Sequence, residues 1–175
     1  RTSIIVDPAD GRRPPLTPEA RERQAGRAAF ARPNTGTAWW LENDLEAPGP
    51  YDDPEQRPHA ERCLMGFGST AGPPMLPVLY NNLKRIVQSD DTIVILVEMV
   101  HDARVIRMNQ EHVAPEIRSW LGDSVGRWEG DTLVVDTNNF SDSPSLGQAS
   151  LNLHVIERFT RIDAETLLYQ FTVDD

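Results

Sequence analysis

From residue 78 onward, hydrophobic and polar positions alternate with the period of two that is typical of β-strands. The most apolar of these segments spans residues 92–100 and follows the turn Ser89-Asp90-Asp91. Short strands follow one another with tight turns between them, and this pattern predicts an antiparallel meander. The predicted strands span residues 84–88, 92–100, 104–108, 125–129, 132–138, 153–162 and 166–173, with a tight hairpin turn at Gly130-Asp131.

The last predicted strand has one apolar face and one mostly polar face. Leu167, Tyr169, Phe171 and Val173 share the apolar face because alternate residues of a strand point the same way. A meander with such faces can roll up, which removes its edges and leaves a cavity. We therefore predict a mainly β fold in which an antiparallel meander closes into a lipocalin-like barrel.

Residues 1–77 show little alternation and hold most of the prolines. Thr17-Pro18-Glu19 is typical of a helix start, and the predicted helix ends near Arg32, before Pro33. We predict that this half forms a helical and irregular arm. With 175 residues, the chain is expected to form one domain, in which residues 1–77 are the arm and residues 78–175 the barrel.

Charge and composition exclude several classes of function. Lys and Arg total 17 and Asp and Glu total 27, so the net charge is −10 at pH 7, which argues against nucleic acid or an anionic membrane as the main partner. The longest apolar run is far shorter than the ~20 residues of a membrane span, so no membrane insertion is expected. Cys63 is the only cysteine, so no disulfide forms within the chain. Serine-elbow, phosphate-loop and dinucleotide motifs are missing from the sequence.

Candidate chemistry lies at the end of the second predicted strand, where Glu98, His101, Asp102 and Arg104 follow an apolar run. In one interpretation, Glu98 pairs with Arg104 across the hairpin and Asp102 caps the turn. In the other, Glu98 or His101 is a general base in a cavity lined by aliphatic side chains, which can bring a pKa towards neutrality. In a regular strand these two groups point to opposite faces, unless a bulge or turn intervenes.

The strand 153–162 carries a second set of ionisable groups. Glu157 shares a face with Leu153 and Phe159, whereas His154 and Arg158 lie on the other face. Whichever face is the interior, an ionisable group enters the cavity, where it could be a second acid or base. A surface ladder of salt bridges is the alternative.

Metal binding by His101, His154 and Glu98 suits zinc or iron, but the histidines lack a typical ligand spacing. We therefore predict no metal and no cofactor. His59 and His112 lie in polar contexts and are expected to be solvated. The predicted catalytic groups are Glu98, His101, His154 and Glu157, and the predicted substrate-binding groups are Tyr80, Asn82, Asp102, Arg104, Trp128 and Arg158.

Several segments resemble one known family. They are YNN (80–82), IVQ (86–88), the group from Glu98 to Arg104, GRWEGDTLVV (126–135), NLHVIERFTRIDAETL (152–167) and the leader SIIVDPADGRRPPLTP (3–18). The chain is similar in these segments to an uncharacterised family of mostly exported bacterial proteins with lipocalin-like barrels. The resemblance implies a barrel fold and a periplasmic or extracellular location. Members of that family continue past the last residue here with another extended segment.

Three functions remain open from the residues. The leading hypothesis is cofactor-independent acid/base chemistry, namely isomerisation, elimination, cyclisation or hydrolysis, on a small hydrophobic or aromatic molecule inside the barrel. The alternative is a non-catalytic protein that binds such a molecule. A third hypothesis is an interaction or assembly protein, and a homo-oligomer is compatible with all three.

Overall fold

The computed structural model describes residues 4–28, 54, 59–66, 72–142, 146 and 149–175. The chain divides into two compact units, Arg1–Pro50 and Tyr51–Asp175, and each is described by itself. The expectation of one domain divided at residue 77 stays a prediction. No helix in the described ranges is long and apolar enough to cross a membrane.

The first unit contains the helix α1, Pro18–Ala28. Thr17 caps it, because its Oγ1 accepts a hydrogen bond from the N–H of Ala20 at 3.2 Å. Pro18 occupies the first turn, where its missing N–H costs nothing. The predicted start of the helix is confirmed, whereas the predicted end near Arg32 lies outside the described residues.

The second unit contains seven strands, which lie in one sheet in the order in which they occur along the chain. Six of them correspond to predicted strands within two residues at each end, and the second strand ends three residues early, at Val97. The strands are β1 (Lys84–Gln88), β2 (Thr92–Val97), β3 (Ala103–Met108), β4 (Asp123–Glu129), β5 (Thr132–Asn138), β6 (His154–Arg161) and β7 (Leu167–Asp174).

β3 and β4 pair in parallel, whereas the other five neighbouring pairs are antiparallel. The parallel register joins only Ile106–Met108 to Ser124–Gly126. Segment 109–122 returns the chain to the end of the sheet at which β3 begins, so that β4 can run parallel to β3. The predicted meander is therefore interrupted once, and the sheet is mixed.

The sheet is curled into a half-barrel, which confirms the mainly β fold class. β1 and β7 are its two edges. Its concave face holds the main core, in which buried side chains of β2, β3, β5 and β6 pack together with Met75 and Val78 from the segment before β1. The buried members include Ile93, Ile95, Val97, Ile106, Met108, Leu133, Val135 and Phe159.

β2 stops at Val97 because the backbone turns there. Met99–His101 form a turn whose 3-10 geometry is interrupted at its middle residue, and Val100 and His101 have positive φ angles of 58° and 57°. A left-handed conformation is unfavourable for most residues other than glycine and asparagine, and most of all for a β-branched residue such as Val100. The turn buries Met99 but sends His101 away from the face it would share with Ile95 in a regular strand.

Candidate functional site

A buried ion pair joins β3 to β6 on the concave side of the sheet. Arg104 is 2% exposed and Glu157 is fully buried. Nη1 of Arg104 donates to Oε1 of Glu157 at 3.1 Å, and Nη2 donates to Oε2, so the contact is bidentate. The face of β6 that carries Glu157 is therefore the interior, as one of the two predicted alternatives stated.

Neighbouring strands complete the coordination of this pair. Nε of Arg104 donates to Oγ of Ser124 on β4, and Nη2 also donates to Oγ1 of Thr137 on β5, at 3.0 and 3.1 Å. On the other side, the Tyr169 hydroxyl donates to Oε1 of Glu157 at 2.6 Å. Every charged atom in this network has a partner, which offsets the cost of removing both charges from water.

Tyr169 ties the network to the segment before β1, since its hydroxyl oxygen accepts a hydrogen bond from the N–H of Met75 at 2.8 Å. Burial, followed by the charge of Glu157 and the hydrogen bond to it, raises the pKa of the Tyr169 hydroxyl far above its usual value. Tyr169 therefore stays protonated and acts as a donor to Glu157.

A cleft of about 500 Å³ opens beside this network, where β3 and the segment before β4 diverge. The ladder between these strands ends at Ile106 and Ser124, so residues 103–105 and 119–123 flank a gap. Arg104 and Ser124, both buried, form the base of the cleft. The apolar part of its wall comes from Leu64, Met65 and Trp120.

His101 and Asp102 lie at the rim of the cleft. The imidazole of His101 is exposed, and it makes no hydrogen bond within the part of the chain that the structure describes. Oδ2 of Asp102 accepts a hydrogen bond from the N–H of Gly66 at 3.1 Å. Burial raises the pKa of Asp102, against the effect of that hydrogen bond.

The remaining charged groups of the cleft are paired with each other. Arg107 donates through Nη2 to both carboxylate oxygens of Asp123 at 2.9 Å. Burial opposes ionisation of Asp123, but hydrogen bonds from His112, the N–H of Val113 and Arg107 outweigh it and lower the pKa of the carboxyl. Because Arg104 and Arg107 each have a carboxylate partner, the cleft presents no uncompensated arginine charge.

A chain of carboxylates and imidazoles continues from Asp123 across the convex side of the sheet. Nδ1 of His112 lies 2.9 Å from Asp123, and its Nε2 lies 3.2 Å from Oδ1 of Asp136. Nε2 of His154 lies 2.8 Å from the same oxygen. The expectation that His112 is simply solvated is wrong, since both of its nitrogens contact carboxylates.

The other predicted site residues do not join the cleft. Glu98 is exposed, and its backbone N–H donates to the carbonyl of Leu83 at 3.0 Å. Tyr80 is also exposed. Asn82 closes its own loop, because its side-chain amide accepts from the N–H of Val78 and donates to the Val78 carbonyl.

Two further predicted residues lie at the far end of the sheet. Trp128 is 48% exposed, and Arg158 donates to Oε2 of Glu129 at 2.9 Å. The predicted groups therefore separate into four places. Arg104 and Glu157 lie in the buried network, His101 and Asp102 at the rim of the cleft, His154 on the convex side, and the others outside these sites.

Sequence patterns did not identify Ser124, Thr137 or Tyr169 as partners of the buried pair. Each has an ordinary strand context, and only the register across the sheet brings them together. Asp123 and Asp136 follow apolar or turn residues without a distinguishing signal. For His112 there was no local signal, because its carboxylate partners lie 11 and 24 residues away in the chain.

Among the residues that the structure describes, no group of three or more His, Cys, Asp or Glu side chains is arranged to hold a metal ion. Comparison of the chain with protein-family models, with curated proteins and with solved structures gave no match. The resemblance to the exported barrel family therefore stays a prediction, and the function rests on the geometry of the site.

Proposed function

We propose that this protein binds a small neutral molecule with an apolar or aromatic body and one hydroxyl or carbonyl group, in the cleft between β3 and the segment before β4. The observation that carries this proposal is the cleft itself, about 500 Å³ in volume, with a buried polar base and an apolar wall. In small-molecule sites, apolar side chains commonly contact the body of the ligand and fixed polar groups set its orientation.

The charge balance of the cleft supports a neutral ligand. Arg104 is neutralised by Glu157 and Arg107 by Asp123, so neither guanidinium is available to an anion without breaking an existing pair. His101 and Asp102 also lie in the cleft and have no ion-pair partner in the described chain, and the imidazole of His101 can accept or donate a hydrogen bond.

Naphthol is a suitable probe, because it combines an aromatic body with one hydroxyl group and quenches tryptophan fluorescence. We expect saturable binding to the purified protein with one site per chain. His101→Ala is expected to weaken binding about tenfold through loss of one hydrogen bond. Leu151→Ala is the control, since Leu151 is exposed outside the cleft. Binding that is unchanged by His101→Ala and by Trp120→Ala would place the ligand elsewhere and reject the proposal.

Acid/base catalysis in the same cleft is the second candidate, and the rim favours it. The imidazole of His101 makes no hydrogen bond in the described chain, and burial raises the pKa of the neighbouring Asp102, so an imidazole and a carboxyl group lie next to each other at the rim. Hydrolysis of naphthyl acetate tests this function, with His101 as the general base that activates water. The catalytic function requires that the native protein hydrolyses naphthyl acetate and that His101→Ala does not. The variant must still bind naphthol at Trp120. Equal rates of hydrolysis for the native protein and His101→Ala would reject catalysis and leave ligand binding as the proposed function.

A further inference from the structure

Among the described strands, β1 and β7 are the edges of the half-barrel. Within the described part of the second unit, β1 and β7 each pair with a strand on one side only. Proteins commonly protect such edges with lysine, proline or inward-pointing charges. Segment 167–173 of β7, LLYQFTV, contains none of these, so its edge is suited to pairing with another strand.

Apolar side chains are exposed at both edges of the concave face. Ile86 on β1 is 46% exposed, although its neighbour Ile95 on β2 is 1% exposed. At the other edge, Phe171 and Val173 are 36% and 39% exposed, although Val155 beside Val173 is fully buried. The concave face is therefore covered in its middle and open along both margins.

The strand directions make the two edges compatible. An uninterrupted antiparallel meander of seven strands would leave β1 and β7 parallel to each other. Because the β3–β4 pair is parallel, β1 and β7 run antiparallel. A twofold axis along the strands preserves strand direction, so it would bring β1 of one copy beside β7 of a second copy in the antiparallel orientation.

The faces of the two strands restrict their register, since residues directly opposite each other must point to the same side of the sheet. Ile86 points to the concave side with Ile95, and Val173 points there with Val155. Pairing Ile86 with Val173 places Arg85 opposite Asp174, on the convex side. One register thus matches an apolar pair and an opposite-charge pair in adjacent positions.

We propose that two copies of this chain form a dimer in which β1 of each pairs with β7 of the other, with Ile86 opposite Val173 and Arg85 opposite Asp174 of the partner subunit. The two equivalent junctions give each of the described edge strands a second partner. Charge favours this arrangement over pairing of β1 with a second β1, which would bring two copies of Lys84 and Arg85 together. The proposed dimer does not depend on ligand binding in the cleft.

The mass of the native protein in solution is the first test. Light scattering across a range of protein concentrations should show a species of about twice the 19.6 kDa of one chain. Arg85→Asp should shift the equilibrium towards monomer, Asp174→Arg should do the same, and the combination should restore the dimer. Arg13→Asp is the control for a change in net charge, since Arg13 is exposed in the first unit. A native protein that is monomeric at every concentration would overturn the proposal.

Cross-linking tests which edges meet. In a Cys63→Ser background, which removes the exposed native thiol, Ile86→Cys with Val173→Cys should oxidise to a covalent dimer. Val87→Cys with Val173→Cys should not, because Val87 points to the opposite side of the sheet. A disulfide within one chain would show that the edges meet intramolecularly, and a dimer that forms no disulfide uses another surface. Either result rejects the pairing, whatever the outcome of the naphthol experiment.

Discussion

Arg104 and Glu157 form a bidentate ion pair although 53 residues separate them in the chain. The pair spans the sheet from β3 to β6, beneath the cleft, and is supported by hydroxyl groups from β4, β5 and β7. Such a network fixes the relative positions of five strands, and the cleft lies where two of them diverge.

Removing one partner of this pair should be strongly destabilising. Glu157→Leu leaves a buried guanidinium without its carboxylate, and we expect a loss of about 3–5 kcal/mol in the free energy of unfolding. Glu157→Leu combined with Arg104→Met should lose less than Glu157→Leu alone, because no charge is then left buried. Urea unfolding measures both effects. Arg158→Met breaks an exposed ion pair and serves as the control, with a much smaller effect expected. A similar loss for this control would contradict the role of burial.

Tyr169→Phe should destabilise the protein by about 1–3 kcal/mol near pH 8, because the Met75 N–H loses its acceptor and Glu157 loses a donor. The pKa of Tyr169 is raised on folding, so its contribution is present below the unfolded pKa of about 10 and is lost as pH rises beyond it. Urea midpoints from about pH 8 to pH 11 should therefore fall more steeply for the native protein than for Tyr169→Phe. Parallel curves would show that Tyr169 ionises as freely in the folded as in the unfolded state.

Asp123→Asn should flatten the acid limb of the stability curve. The pKa of Asp123 is lowered on folding, so its stabilising effect is present above its ordinary value of 3.8 and is lost as pH falls through the lower folded value. The variant should be less stable than the native protein at neutral pH and should lose less on acidification below about pH 4. Thermal unfolding followed at several pH values measures this. Asp131→Asn, in an exposed turn, removes one carboxylate outside this network and is the control.

His101→Gly should be more stable than His101→Ala by about 1 kcal/mol, since glycine adopts the observed φ of 57° without strain. The His101 side chain is exposed, so its loss affects both variants equally. Both variants should bind naphthol more weakly than the native protein. Chemical unfolding compares their stabilities, and a more stable alanine variant would show that the turn is not strained at this residue.

Gly126→Ala should separate β3 from β4. A Cβ at this position would lie 2.8 Å from both Cγ2 of Ile106 and Sδ of Met108. We expect a loss of about 1–3 kcal/mol through overpacking, measured by urea unfolding. Gly130→Asn is the control, because Gly130 has φ of +60° but open space around it, and asparagine tolerates that conformation. An unchanged stability for Gly126→Ala would mean that the strands adjust at no cost.

Local patterns predicted the strands well, and physical reasons explain where they failed. β1 and β5 have their predicted limits, and the turn at Gly130 lies where the Gly-Asp pair indicated. The parallel pairing of β3 with β4 was not predictable, because the loop between them carries no signal for its direction. The end of β2 was missed because two non-glycine residues in left-handed conformations contradict local preference.

The site was predicted less completely than the fold. The alternation of strand residues left two choices for the interior face of β6, and one of them placed Glu157 inside. The predicted ion-pair partner of Arg104 was Glu98, across the nearest hairpin, and this prediction was wrong. The observed partner is three strands away in the sheet, and only the full strand order brings it to the same face. Contacts between distant strands depend on sheet order and register, which local sequence periodicity does not encode.

The hydrogen bond from Met75 to Tyr169 spans 94 residues and has a consequence for synthesis. During translation, β3 and its residue Arg104 are synthesised before β6 and β7. The ionic centre of this sheet therefore cannot be completed until the last two strands have been synthesised. Until Tyr169 leaves the ribosome, Glu157 lacks one of its hydrogen-bond donors. During that interval the incomplete sheet is accessible to chaperones and proteases.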